Sequence, residues 1–272
     1  MSAIKPVAVV TGASSGIGSV YADRLAARGY DLVLVARRAD RLQALADRLT
    51  TTFGTKIRVV GADLTREEDL TTVENLLKTD PAIALLVNNA GNGKLGSTTE
   101  MTEADVLSTI ALNITALTRL SLAALPAFLA RKSGAIINIS SAVALHALPI
   151  ASLYSGAKAY VLNFSRGLAE EVAASGVRIQ AVLPAGTATE FYDHSGIPLS
   201  AFDPAVVMTT ENLVDAALAG FDQGEAVTMP SVHDLGLWEE FEAARAKLFA
   251  ATQNGAPAPR YHISSLMTSG LR

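Results

Sequence analysis

A chain of 272 residues, half of them hydrophobic, is long enough to bury the core of one large α/β domain, and the absence of cysteine excludes disulfides, thiolate metal sites and cysteine nucleophiles. A net charge of −4, with no basic run longer than Arg37-Arg38, argues against a nucleic-acid partner, which demands a basic face to displace counterions from phosphate. The four histidines, His146, His194, His233 and His262, stand at no metal-ligand spacing, so no metal site is expected.

Along the chain, short apolar runs alternate with longer helical patterns. Strands are expected at Pro6–Thr11, Asp31–Ala36, Lys56–Gly61, Ile83–Asn88, Ala135–Ser140, Arg178–Leu183 and Ala226–Met229. Helices are expected at Gly16–Arg28, Arg38–Thr51, Arg66–Lys78, Glu103–Ala130, Ser152–Ala174 and Thr210–Phe221. The strands are continuous apolar runs rather than alternating ones, as a parallel sheet covered on both faces demands. The pattern predicts a doubly wound α/β fold of Rossmann type over residues 1–230, with a substrate loop near 185–210. The N-terminal apolar run ends at a glycine-rich turn, unlike a secretory signal, so a cytoplasmic location is expected. Val106–Ala130 is the most hydrophobic long segment, but it holds Asn113, Arg119 and Pro126 and meets Arg131-Lys132, so it reads as a buried helix rather than a membrane span. Past the last strand, Leu237, Trp238, Phe241, Ala244, Leu248 and Phe249 recur at helical spacing. That predicts an amphipathic helix within residues 231–272, packed on the same domain, closing a pocket or meeting another subunit.

Three local patterns carry chemistry. "VVTGASSGIG", Val9–Gly18, places Gly12, Gly16 and Gly18 where the first strand turns into the first helix, and a helix N-terminus offers unpaired N–H groups and partial positive charge to a phosphate. The second strand ends in Arg37 and Arg38 rather than a carboxylate, which favours a dinucleotide with a 2′-phosphate, NADP over NAD. In "SLYSGAKAYV", Ser152–Val161, Tyr154 and Lys158 lie four apart and share a helix face, whereas Tyr160 does not.

Together with "ADL" at Ala62–Leu64, "NNAG" at Asn88–Gly91, "ALN" ending at Asn113 and "NISS" at Asn138–Ser141, these motifs resemble the short-chain dehydrogenases/reductases, over a stretch from Thr11 to Thr189. The resemblance implies a catalytic set of Asn113, Ser141, Tyr154 and Lys158. It implies a cofactor site of Gly12, Ser14, Ser15, Gly16, Ile17 and Gly18 in the phosphate loop, with Arg37 holding the 2′-phosphate and Arg38 beside it. Asp63 and Leu64 then meet adenine, Asn89, Ala90 and Gly91 meet the ribose, and Pro184, Gly186, Thr187 and Thr189 lie along the nicotinamide and pyrophosphate. One departure stands out: "LPAGTATEF", Leu183–Phe191, has Pro184-Ala185 where the family commonly has Pro-Gly.

The implied activity is hydride transfer between NADP(H) and a carbonyl or alcohol carbon, with Tyr154 as general acid or base and Lys158 lowering its pKa. Leu95, Val143, Leu145, His146, Leu148, Phe191 and Tyr192 suggest an apolar lining for a hydrophobic ketone, aldehyde or secondary alcohol, while Lys94 and His194 read as solvated loop residues. The alternatives are a reductase of carrier-linked 3-oxoacyl groups and an NADP-binding regulator without turnover. The family further implies a homotetramer or dimer paired through Glu103–Ala130 and Ser152–Ala174.

Overall fold

A computed structural model describes residues 5–261, apart from the side chain of His194; His262 lies outside the described residues. Within the unit that runs to Ser231, seven parallel strands form one sheet in the order β3-β2-β1-β4-β5-β6-β7. The strands are β1 (Val7–Thr11), β2 (Asp31–Ala36), β3 (Ile57–Gly61), β4 (Ile83–Asn88), β5 (Gly134–Ile139), β6 (Val177–Val182) and β7 (Val227–Thr228). All seven coincide with the expected runs to within two residues at their ends, apart from slightly shorter forms of the first, third and last.

Each face of the sheet carries its own apolar layer. Ala8 and Val10 of β1 point into one layer, with Tyr21 and Leu25 of α1 (Gly16–Ala27), Leu42 and Leu49 of α2 (Ala39–Phe53), and Leu213 and Phe221 of α8 (Thr210–Gln223). Val9 points into the other, with Leu70 and Leu77 of α3 (Glu67–Thr79), Leu120 and Phe128 of α5 (Leu117–Ala130), and Leu168 of α6 (Ser152–Val172). Successive strand residues therefore both meet hydrocarbon, which is why the strands are apolar without alternation.

The expected helix Glu103–Ala130 is realised in three parts. It begins as α4 (Glu103–Ile110), opened by a capping box in which the Thr102 and Asp105 side chains satisfy each other's backbone N–H groups. It loosens into a π turn over Ala111–Ala116 and continues as α5. Asn113 sits in the π turn, where the extra residue turns its side chain inward. The run is long and apolar enough to cross a membrane, yet Ala116, Leu120, Ala124 and Phe128 are buried in the layer shared with α3 and the sheet.

The unit from Val232 onward contains α9 (Leu235–Ala251), capped by Asp234 through the Gly236 N–H. The expected helix is present, but its apolar stripe is interrupted. No residue of α9 is buried, and Leu237, Leu248 and Phe249 are 61%, 70% and 66% exposed. Arg245, paired with Glu242, falls among the apolar positions at helical spacing and breaks the stripe. Trp238 and Phe241 stack on each other instead.

Two glycines separate packing from propensity. Gly134 has φ +146°, and a Cβ there would stand 2.4 Å from Cγ of the Phe128 ring, so Gly134→Ala is expected to destabilise by about 2–4 kcal/mol. Gly167, inside α6 with nothing within 4 Å of the added carbon, should gain roughly 0.5–1 kcal/mol as Ala. Urea unfolding of both variants checks the opposed signs.

Candidate active site

The β1–α1 turn and the ends of β4, β5 and β6 meet at one edge of the sheet, beside the point where the strand order reverses between β1 and β4. The Thr11 hydroxyl ties this edge together. It accepts from the N–H groups of Asn89 and Ala90, both at 3.0 Å, and donates to the Val87 carbonyl. Asn89 Nδ2 donates back to the Thr11 carbonyl at 2.9 Å. The approach is so close that a Cβ on Gly12, which has φ +68°, would lie 2.7 Å from that Nδ2.

Ser15 caps α1 without a side-chain hydrogen bond to the helix, so the first-turn N–H groups at Gly16, Ile17 and Gly18 lie outside its intrahelical ladder. The hydroxyls of Ser14 and Ser15 are held instead by Arg38, whose Nη2 donates to them at 3.1 and 2.8 Å. Of the two arginines, it is therefore Arg38 that turns onto the loop. Arg37 is exposed and lends its charge to Asp63. Burial works to raise the Asp63 carboxyl, but the Thr65 hydroxyl and N–H, then Arg37, outweigh it and hold it below its ordinary value. Leu64 beside it is buried. A helix N-terminus, two hydroxyls and a guanidinium converge, a donor set that suits phosphate.

On the far side of the β1–β4 crevice, Ser140 and Ser141 part company. Ser140 Oγ donates to the Lys158 carbonyl at 2.7 Å, a structural bond, while Ser141 faces the Tyr154 phenol closely enough to hydrogen-bond and donates to the Pro184 carbonyl at 3.3 Å. Lys158 lies one turn below on α6, buried, with Nζ donating to the Ile139 carbonyl at 2.9 Å and 5.6 Å from the centre of the Tyr154 ring. Asn113 spends its Nδ2 on the carbonyls of Asn92 and Thr109 and on Asn92 Oδ1, which leaves its buried Oδ1 without a protein partner. A Cβ at Gly91 would stand 2.8 Å from that Oδ1 and 3.4 Å from Lys158 Nζ, so the two atoms converge on one point above a glycine. Tyr160 is a packing residue, stacked on Phe164 with its hydroxyl against Thr118.

Burial acts on both titrating groups. It pushes the Tyr154 phenol above its ordinary value, opposed by the bond with Ser141 and reinforced by the nearby Tyr192. It pushes Lys158 down to about 8. The expectation that Lys158 lowers the Tyr154 pKa is thus outweighed here by desolvation, which penalises phenolate and ammonium alike.

Past the Pro184-Ala185 departure the chain runs on to a short bridge between Thr187 and Met208. Gly186 has no left-handed φ, and its carbonyl accepts from the Met208 N–H at 2.9 Å. Thr187 folds its hydroxyl back onto the Ala185 carbonyl, whereas Thr189 leans over the phosphate loop, its Cγ2 3.3 Å from where a Gly16 Cβ would be. The short helix α7 (Phe191–Ser195) follows, and Phe191 packs against the Tyr154 ring at 5.3 Å between centroids. Tyr192 meets Phe191 edge-on, and Phe202 meets Tyr192, making an aromatic row. Leu145, His146 and Leu148 are exposed, Leu95 and Val143 half-buried. Lys94 is held by Asp105 at 2.7 Å.

Several of these residues escaped the sequence reading: the Thr11 hydroxyl, Asn92, Gly93, Phe202, Arg41 and Glu190. Gly93 has a role legible only in space, because a Cβ there would lie 2.5 Å from the Tyr154 ring. Among the described residues no group of His, Asp and Glu is placed to hold a metal.

The short chain dehydrogenase family model matches residues 6–196. The chain belongs to that family. It is 38% identical over 184 residues to 17-beta-hydroxysteroid dehydrogenase type 3 of Rattus norvegicus, 67% of this chain and 60% of that protein, so the chain spans less than two thirds of that relative's length. Among solved structures, a short-chain dehydrogenase from Sphingobium yanoikuyae in complex with NADPH is 44% identical with a TM-score of 0.91, covering 94% of this chain and all of that one. A bulky-bulky ketone specific alcohol dehydrogenase from Comamonas testosteroni is 40% identical with a TM-score of 0.87, covering 95% and 99%.

The burial of Lys158 yields a test of this short chain dehydrogenase site. Since the charged form is the one penalised, the cost is full below about pH 8 and fades as pH rises toward the unfolded value of 10.5. Lys158→Met is expected to raise the stability of the protein at pH 6–7 by about 2–3 kcal/mol and to lose that advantage toward pH 10, read from thermal unfolding across pH.

Proposed function

We propose that this chain is an NADP(H)-dependent oxidoreductase that interconverts a bulky hydrophobic ketone or aldehyde with its alcohol. The observation that carries the proposal is the meeting of Ser141, Tyr154 and Lys158 on one side of a crevice whose other side is a phosphate-binding loop held by Arg38. The residues fit the dinucleotide. Gly12, Gly16, Ile17 and Gly18 would receive the pyrophosphate, Ser14, Ser15 and Arg38 with Arg37 the 2′-phosphate, Asp63 and Leu64 the adenine, and Asn89, Ala90 and Gly91 the ribose. Pro184, Gly186, Thr187 and Thr189 would border the nicotinamide end. When bound, the nicotinamide supplies or accepts the hydride.

The protein's own part is to manage the proton. In reduction, the Tyr154 hydroxyl donates a proton to the carbonyl oxygen while the Ser141 hydroxyl donates a hydrogen bond to the same atom, stabilising the charge that develops there. Burial keeps the phenol protonated, as a proton donor must be at rest. In oxidation Tyr154 is the base, and a protonated Lys158 one turn away favours the phenolate. Asn113 Oδ1, aimed with Lys158 Nζ at the space over Gly91, suits a water that passes protons on from Lys158.

Substrate size follows from the lining. Phe191, Tyr192 and Phe202 offer a wide aromatic wall, and the charge of Lys94 is engaged by Asp105. That supports a bulky uncharged carbonyl, in keeping with the similarity to the Comamonas testosteroni enzyme. Leu107, Leu122, Leu129 and Tyr160 are exposed on α4, α5 and α6, which supports the expected pairing of these helices in a dimer or tetramer. Light scattering on the purified protein should return a multiple of the 28.3 kDa chain.

Tyr154→Phe is expected to lower kcat by about 10²–10⁴-fold on any accepted ketone while leaving NADPH affinity within about two-fold of the parent, since only the proton donor is lost. A carbonyl and alcohol panel run with both cofactors, together with NADPH fluorescence titration of the variant, decides it. Retained turnover would remove Tyr154 from this role.

A further inference from the structure

Glu190, the residue immediately before α7, has no part in the chemistry above. Its Oε2 accepts from Arg38 Nη1 at 2.8 Å and its Oε1 from Arg41 Nη1 at 2.6 Å, so one carboxylate joins the loop after β6 to the start of α2. The same Arg38 guanidinium donates to the hydroxyls of Ser14 and Ser15. The carboxylate therefore shares a guanidinium with the phosphate loop. Arg38 and then Arg41 hold it at about 2, well below the usual carboxylate range. The three side chains are 39%, 47% and 41% exposed, so a dissolved ligand reaches the cluster directly.

We propose that Glu190 is a resident anion standing in the place of a ribose 2′-phosphate, an internal competitor that holds Arg38 and Arg41 until a cofactor carrying that group displaces it and so tunes how tightly that cofactor binds. The proposal rests on the NADP(H) reading and adds to it a competitor supplied by the chain itself. A phosphate monoester carries a charge of about −1.5 to −2 and three acceptor oxygens, against one charge and two oxygens on the carboxylate. It outbids Glu190 for the two guanidiniums. A ribose hydroxyl brings no charge and leaves the ion pairs in place, so a cofactor without the phosphate gains nothing from either arginine. Discrimination then comes from the two guanidiniums, and the carboxylate sets how much of their attraction the phosphate-bearing ligand realises. The competitor also has a cost for the right ligand, because the displaced carboxylate remains a nearby like charge.

That cost sets the sign of the experiment, which reads binding without turnover. Adenosine 2′,5′-bisphosphate and 5′-AMP are titrated by calorimetry into the full chain and into Glu190→Gln, a half-exposed, near-isosteric change. The parent protein should prefer the bisphosphate. Glu190→Gln should bind it about five-fold or more tightly than the parent does, with 5′-AMP unchanged. In an Arg38→Ala background the gain from Glu190→Gln should shrink, because the carboxylate acts through that guanidinium. A parent that binds the two nucleotides alike overturns the NADP(H) reading. A parent that prefers the bisphosphate, with Glu190→Gln leaving its affinity unchanged or lower, or tightening both nucleotides equally, overturns the role of Glu190 alone. So does a gain undiminished by Arg38→Ala.

Discussion

Covering both faces of the sheet with helices is the constraint on which everything else in residues 5–231 depends. A strand whose successive residues alternate between two apolar layers leaves its backbone no partner except another strand, and a helix crossing a face returns the chain in the same direction. All seven strands are thereby parallel, and every loop that follows a strand emerges at one edge. The phosphate loop, the Asn89-Ala90-Gly91 turn, Ser141 and the loop from Pro184 onward are brought together by that single requirement. The Thr11 hydroxyl then closes the β1–β4 seam, where the strand order reverses and a crevice opens.

The site itself is a balance between burial and charge. Lys158 and the Tyr154 phenol are both withdrawn from water, and each is driven toward its neutral form. Ser141 limits this drift at Tyr154, while Lys158 Nζ keeps one bond, to the Ile139 carbonyl. A phenol left to desolvation alone would be a poor base, and a lysine left to it would be a poor cation. Burial thus brings Lys158 toward neutral pH while it carries the Tyr154 phenol further from it, and the bond with Ser141 opposes the second shift.

Much of the fold and of the site was legible because its signals are local. Strand positions follow from uninterrupted apolar runs, the pairing of Tyr154 with Lys158 from one helical turn, and the phosphate loop from glycines at a strand-to-helix junction. Other features were hidden because they depend on distant contacts. Two adjacent arginines look alike in sequence, but only Arg38 turns to Ser14, Ser15 and Glu190, the last of them 152 residues away. The π turn that aims Asn113 inward left no mark in the periodicity, and the stripe on α9 looked amphipathic until the position of Arg245 and the exposure of Leu248 and Phe249 were set beside it.

By itself, the sequence determined the class of fold, the order of its elements, the phosphate loop and the pairing of Tyr154 with Lys158, because each follows from the spacing of neighbours along a strand or a helix; Ser141 and Asn113 joined them through the family resemblance. Only the tertiary structure decided which arginine meets the loop, what presses on Tyr154 and what stands between Arg38 and Arg41. Those are matters of side-chain direction and of elements far apart in the chain arriving at one edge of the sheet, and no periodicity records them.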